Sequence, residues 1–155
     1  ALVVETMCKI IMEVEKTEYR YNREEDLKPQ YKSPSFLSDA VCYNACKIAK
    51  DVSADALIGM TQSGYTGFIL SSYRPESPLY IFTKKKSLVN QLSLSWGVRA
   101  FYYAEEESLD NIVFDQINIL KERGFLKKGD VTVNTGSTPV KLHLPTNIIK
   151  ITNVE

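Results

Sequence analysis

Apolar strand segments alternate with helical segments from residue 54 to the end of the chain, and this alternation limits the possible folds most strongly. Each short apolar run ends at turn-forming residues, and helical periodicity follows most of them. The predicted strands are residues 56–60, 79–83, 98–103, 131–135 and 148–154. Strands that alternate with helices form a mostly parallel sheet with both faces covered, so the sequence predicts a three-layer α/β/α fold.

Four helices accompany these strands. Residues 65–73 and 87–96 are predicted to be helical, and a long helix begins after Ser108 and ends at Gly124. The predicted buried stripe of the long helix is Leu109, Ile112, Val113, Gln116, Ile117 and Leu120. The fourth helix precedes the first strand, with Ser33 or Ser35 as its cap. Its predicted buried face is Leu37, Val41, Ala45, Ile48 and Val52.

The last two strands are joined by residues 136–146, which have no helical pattern. Because parallel neighbours need a crossover connection, the fifth strand is expected to run antiparallel to the fourth, which gives a mixed five-stranded sheet. The connection is long for a hairpin, and long ordered loops are often functional.

The first 33 residues differ from the rest. Residues 1–16 form an amphipathic helix in which Val3, Met7, Ile10 and Val14 recur at helical spacing. Residues 17–33 carry mixed charge without a period, which is typical of a solvated connector. The α/β domain is therefore predicted to occupy residues 34–155. The first residues lack the basic segment of a signal peptide. The sequence starts within a helical pattern, so we expect it to be a fragment of a longer protein.

Composition argues against several classes of function. Nineteen basic and nineteen acidic residues give no net charge, so neither a nucleic acid nor a membrane is an expected partner. No apolar run approaches the roughly 20 residues that span a bilayer. The three cysteines are interpreted as small apolar residues of a reduced, cytoplasmic protein, and no metal site is expected. His143, the only histidine, has no identifiable catalytic partner, so no catalytic residues are predicted.

The turn after the first strand is the strongest candidate for a binding site. It contains Thr61, Gln62, Ser63, Gly64, Tyr65 and Thr66. Backbone N–H groups at the start of the following helix, with its dipole behind them, form an anion site. Alternatively, the hydroxyls only cap the helix, and these residues alone favour that interpretation. Of two charged runs, residues 84–86 are interpreted as a solvated helix start that could also help to hold an anion. Residues 105–107 are interpreted as carboxylates that interact favourably with a helix dipole rather than as ligands of a metal.

The order of several motifs closely resembles the C-terminal α/β domain of the pyruvate kinase family. The residues that carry the resemblance are Thr61-Gln62-Ser63-Gly64-Tyr65-Thr66, Tyr73-Arg74-Pro75, Thr83, Trp96-Gly97-Val98, Gly129-Asp130, Thr135-Gly136 and Thr146-Asn147. Residues 1–16 resemble the closing helix of the family's barrel domain. The similarity covers nearly the whole chain in the right order.

The resemblance implies a sheet of order 3-2-1-4-5 and a role in regulation. It implies that the whole enzyme transfers phosphate between phosphoenolpyruvate and ADP with Mg²⁺ and K⁺, on a barrel absent from this chain. The domain itself would bind no cofactor, but would bind a phosphorylated effector and contribute to a homotetramer. The effector would lie between the turn at residues 61–66 and a loop containing Gly136, Ser137, Lys141 and His143.

Two departures from the family pattern affect the expected ligand. Glu105 and Ile112 stand where fructose-bisphosphate-regulated members have a Trp and an Arg that hold a second phosphate, and the loop lacks the family's glycines. A site for one phosphate is therefore expected. Two other functions stay open, namely a stand-alone domain that binds a phosphorylated metabolite and an assembly module with a vestigial site.

Overall fold

A computed structural model describes residues 2–16, 21, 27–105, 108–142 and 144–155. The helices are α1 (Leu2–Glu15), α2 (Phe36–Asp51), α3 (Tyr65–Ser72), α4 (Lys86–Leu92) and α5 (Leu109–Glu122). The strands are β1 (Ala56–Met60), β2 (Leu79–Thr83), β3 (Val98–Tyr102), β4 (Val131–Gly136) and β5 (Ile148–Asn153). All predicted strands are confirmed to within a residue or two, and a 3₁₀ turn, Val140–Leu142, lies within the connection predicted to lack helix.

The five strands form one mixed sheet. Its order is β3-β2-β1-β4-β5, as the resemblance implied. β1 pairs in parallel with β2 on one side and with β4 on the other, and β3 continues the parallel part. β5 runs antiparallel to β4 at the opposite edge, which confirms the expectation from the helix-free connection.

Helices cover both faces of the sheet. Successive strand residues point to opposite faces, so Leu57 joins one apolar cluster and Ile58 the other. The first cluster lies beneath α2, α3 and α4, while the second lies beneath α5 and contains most of the buried aromatic rings. The predicted stripe of α5 is confirmed, and Ser108 caps this helix by accepting a hydrogen bond from the Asn111 N–H at 3.3 Å.

The predicted buried face of α2 is correct only in part, because Ala45 is buried and Ile48 packs against the first cluster, but two other predicted residues are not buried. Leu37 is 76% exposed and Val52 is exposed, whereas the buried residues of this helix are Ser38, Cys42, Ala45, Cys46 and Ala49. The helix turns its small side chains toward the sheet because they allow its backbone to lie close to β4 and β1. The larger apolar residues that guided the prediction lie beside or opposite this face.

Helix α1 has the predicted amphipathic sequence but packs little against the α/β unit. Its apolar side chains are exposed, and none of its residues is buried by the described part of the chain. One contact links it to the sheet layers, since the Trp96 Nε1 donates a hydrogen bond to Glu15 Oε1 at 3.0 Å. The guanidinium of Arg74 lies over the Trp96 ring. Most of the predicted connector, residues 17–33, lies outside the described residues. None of the described helices is long and apolar enough to cross a membrane.

Candidate functional site

A cavity of about 810 Å³ opens at the carboxyl ends of β1 and β4. These strands are neighbours, but the chain leaves β1 toward β2 on one side and β4 toward β5 on the other. Diverging connections of this kind leave a crevice at the switch point of an open α/β sheet. The first turns of α2, α3 and α5 all contribute to the wall of the cavity.

The turn between β1 and α3 forms the polar part of the wall. Gly64 adopts a left-handed conformation, with φ of +92°, and its N–H donates to Thr61 Oγ1 at 3.0 Å. The Tyr65 N–H donates to Ser63 Oγ at 3.4 Å. The hydroxyls of Thr61 and Ser63 therefore help to shape the turn, although the N-cap position of α3 is Gly64, which has no side chain to cap the helix.

The hydroxyls of this turn differ in how accessible they are. Thr61 and Thr66 are buried, and Thr66 Oγ1 shares a hydrogen bond of 2.7 Å with Thr146 Oγ1 from the facing loop. Ser63 is exposed at the mouth of the cavity, and Gln62 is half-buried beside it. The first N–H groups of a helix have no acceptor within the helix, so α3 directs its dipole and its donors toward this space.

One cation and one carboxylate lie near the turn. Lys85, at the N-cap position of α4, is exposed and lines the same cavity as Ser63. Asp39 connects two helix starts, because its carboxylate accepts hydrogen bonds from the Tyr65 hydroxyl at 2.6 Å and from Ser35 Oγ at 2.7 Å. Partial burial raises the pKa of Tyr65, and the hydrogen bond to Asp39 raises it further.

The loop between β4 and β5 forms the opposite wall. Gly136 and Ser137 line the cavity, as expected for the effector loop. The Asn147 side chain closes the loop, since its Oδ1 accepts from the Thr138 N–H at 2.9 Å and its Nδ2 donates to the Thr138 carbonyl at 2.7 Å. Lys141 is exposed and is not part of the cavity wall. His143 lies outside the described residues.

Part of the cavity wall is apolar. Leu109 and Ile112 from α5, together with Val140 and Leu144 from the loop, contribute hydrocarbon surface to it. Ile112 also belongs to the buried cluster beneath α5. Glu105 is exposed and does not line the cavity. The resemblance indicated Ile112 at the site in place of an Arg, but the sequence did not indicate the contributions of Leu109, Val140 and Leu144.

The site has features suited to binding. Its wall combines the start of α3, the exposed hydroxyl of Ser63 and the charge of Lys85 with apolar side chains such as Leu109 and Ile112. Within the described ranges, no three His, Cys, Asp or Glu side chains are grouped so as to hold a metal ion. An anionic ligand with an uncharged body fits this arrangement best.

Comparison with known proteins gives a consistent result. The family model described as "Pyruvate kinase, alpha/beta domain" matches residues 39–152. A pyruvate kinase of Clostridium acetobutylicum is 31% identical over 153 residues, which are 98% of this chain and 32% of that protein. Pyruvate kinase isozyme A of Nicotiana tabacum, a chloroplastic protein, is 31% identical over 97 residues, which are 63% of this chain and 16% of that protein.

Solved structures show the same fold. A crystal structure of a pyruvate kinase from Cryptosporidium parvum superposes with a TM-score of 0.71 at 22% identity, and covers 83% of this chain and 24% of its own. The chain therefore spans less than a third of the length of these relatives.

Proposed function

This chain belongs to the family of the pyruvate kinase alpha/beta domain, and we propose that it is the effector-binding and assembly domain of a pyruvate kinase. The whole enzyme would transfer a phosphoryl group from phosphoenolpyruvate to ADP in the cytoplasm. The observation that carries the proposal is the cavity at the switch point, where the start of α3 and Lys85 face an apolar wall. The chemistry would take place on a part of the enzyme outside this chain.

The ligand that we propose is a phosphorylated metabolite with one phosphate. The N–H groups at the start of α3, with Ser63 and Lys85, would hold the phosphate. A second phosphate would need a second group of donors, but Ile112 lines the cavity at the position where fructose-bisphosphate-regulated members have an Arg, and Leu109 adds hydrocarbon surface. Burying a charge against such a surface is costly, so a bisphosphate is disfavoured.

Calorimetric titration with ribose 5-phosphate, AMP, fructose 1,6-bisphosphate and sulfate tests this proposal. Ser63→Ala is preferable to a change at Thr66, whose hydroxyl is tied to Thr146 inside the fold. A hydrogen bond to a charged group contributes about 1.5–3 kcal/mol, so Ser63→Ala is expected to weaken binding about tenfold or more. Lys85→Gln removes an exposed charge and is expected to weaken binding only a few fold, and less at high salt.

Two variants serve as matched controls. Ser72→Ala removes an exposed serine from the other end of α3, and Lys86→Gln removes a lysine whose ammonium group lies over the Tyr102 ring. Neither residue lines the cavity, so affinity is expected to stay within twofold of the parent. The proposal is wrong if no phosphate compound binds, or if Ser63→Ala binds as tightly as Ser72→Ala.

The assembly part of the proposal concerns the edge strand β5. Exposed strand edges tend to pair, and Ile151 on this strand is 51% exposed. Lys150 on the same strand forms an ion pair with Asp110 of α5, and its charge limits non-specific pairing. We propose that two copies associate along β5, as one contact of a homotetramer of the whole enzyme.

Sedimentation velocity over a range of concentrations tests the assembly. Ile151→Lys places a charge on the edge and is expected to shift the chain toward monomer. Leu94→Lys is the matched control, because Leu94 is 91% exposed just after α4, on the β3 side of the sheet. Equal effects of the two changes, or a monomeric parent chain at high concentration, would exclude association through β5.

Catalytic metal ions are proposed to bind elsewhere in the enzyme. The resemblance implies Mg²⁺ and K⁺ for phosphoryl transfer, and hard cations of this kind prefer several grouped oxygen ligands. The described residues of this domain offer no such group of acidic side chains. We propose a division of labour in which the domain regulates and assembles the enzyme, while the chemistry takes place on another domain.

A further inference from the structure

A second, much smaller cavity lies between α5 and β4, directly behind the wall of the large one. Its volume is about 10 Å³, and it shares Met60, Leu109, Ile112 and Gly136 with the large cavity. Its inner side is formed by two amides, Gln116 of α5 and Asn134 of β4. One of these shared residues, Met60, is half-buried and has the flexible side chain of a methionine.

Both amides are buried and incompletely satisfied. Gln116 is 2% exposed and Asn134 is 3% exposed. Among the described residues, neither Gln116 Nε2 nor Asn134 Oδ1 has a hydrogen-bond partner. A buried polar atom without a partner is costly, and native proteins contain few of them.

The orientation of the Asn134 amide is fixed by its other contacts. Its Nδ2 donates to the Lys150 carbonyl at 3.1 Å, to Thr132 Oγ1 at 3.1 Å and to Thr152 Oγ1 at 3.3 Å. The carbonyl of Lys150 can only accept, so the nitrogen must face β5 and the oxygen must face the small cavity. The small cavity thus has an acceptor on β4 and a donor on α5.

We propose that the small cavity binds one hydroxyl-type oxygen, which accepts a hydrogen bond from Gln116 Nε2 and donates one to Asn134 Oδ1. A volume of about 10 Å³ is at the lower limit for one water molecule. The oxygen comes either from water or, resting on the proposed function, from a hydroxyl of the ligand in the large cavity. In both cases the oxygen links α5 to β4 and β5, which Asn134 connects through its own hydrogen bonds.

Proton NMR on the ¹⁵N-labelled chain tests the proposal with water itself as the probe. The Gln116 side-chain amide is assigned by its disappearance in Gln116→Met. A nuclear Overhauser effect between this amide and long-lived water is expected in the chain without ligand. Titration with ribose 5-phosphate or AMP then separates the two sources. A water signal that persists assigns the site to water, whereas its replacement by a contact to the ligand assigns it to a ligand hydroxyl.

Thermal unfolding gives an independent test, because a bridging oxygen and an unsatisfied donor predict opposite changes in Tm. If an oxygen bridges the two amides, Gln116→Met breaks the bridge and is expected to lower Tm by about 2–6 °C. If Gln116 Nε2 has no partner at all, the same change removes an unsatisfied donor and raises Tm. Gln91→Met, at an exposed position of α4, is the matched control and is expected to change Tm little. A raised Tm for Gln116→Met, or an amide with no contact to water or ligand, would overturn the proposal.

Discussion

Replacing Gly64 by alanine tests whether the shape of the β1–α3 turn depends on a residue without a side chain. Two separate costs are expected. The φ of +92° is a conformation that costs an L-residue about 1–2 kcal/mol. In addition, the new Cβ would lie 2.9 Å from Leu88 Cδ1 and 2.9 Å from Phe68 Cε2.

The second cost depends on which neighbour can move. Phe68 is exposed and can rotate away, whereas Leu88 is buried in the cluster beneath α4. Overpacking a core costs about 1–3 kcal/mol, and partial relief by Phe68 places this case at the lower end. Gly64→Ala is therefore expected to lower the free energy of unfolding by about 2–4 kcal/mol in total.

Gly129→Ala is the matched control. Its φ of +94° is nearly the same, but a Cβ there would meet nothing within 4 Å. It is expected to show the backbone cost alone, about 1–2 kcal/mol. Urea unfolding followed by circular dichroism measures both variants, provided that the m-value does not change. If Gly64→Ala loses no more stability than Gly129→Ala, the close contacts do not constrain the turn and the reasoning fails.

Four further outcomes are expected. Ser108→Ala removes the α5 cap and should cost about 1 kcal/mol in urea unfolding, and an unchanged stability would mean that the cap contributes nothing. Iodoacetamide at pH 8 should modify the exposed Cys8 but not the buried Cys42 and Cys46. Mass spectrometry measures this, and modification of all three cysteines at similar rates would contradict their burial. Burial raises the pKa of Cys42 from 9.0 to about 12, so the folded state favours the neutral thiol, and this contribution to stability should be complete below pH 9 and be lost as the pH rises toward 12. In urea unfolding, Cys42→Ala should therefore lose less stability than the parent as the pH rises. An equally steep decline in the variant would contradict the assignment. The chain alone should form no pyruvate from phosphoenolpyruvate and ADP with Mg²⁺ and K⁺, and measurable pyruvate would refute the proposed division of labour.

The elements of the fold were predictable because each is encoded locally. A short apolar run marks every strand, and Ser108 and Gly124 mark the ends of α5. The absence of helical periodicity between the last two strands was enough to predict an antiparallel edge. The face of α2 was predictable only in part. Ala45 belongs both to the apolar pattern and to the buried face, but Leu37 follows the pattern and is exposed.

The candidate site was predictable only in part. The turn at residues 61–66 is a local pattern of strand, hydroxyls, glycine and helix, and it does line the cavity. The role of Thr66 depends on a partner 80 residues away. The apolar side chains of Leu109 and Ile112 reach the cavity because α5 begins at the same edge of the sheet. Such juxtapositions follow from strand order, which hydrophobic periodicity does not encode.

The central position of β1 has a consequence for how the chain folds. Strands β1, β2 and β3 follow one another closely along the sequence, but β4 must return to β1 across a long separation, with the Asp55 N–H donating to the Val131 carbonyl at 2.8 Å. Pairings distant in sequence incur a large loop-closure entropy and are slow to form. A partly folded chain can therefore possess the turn at residues 61–66 without the facing loop. A ligand held between them would bind only to a chain in which the whole sheet has formed. It would therefore stabilise the sheet against loss of the pairing between β1 and β4.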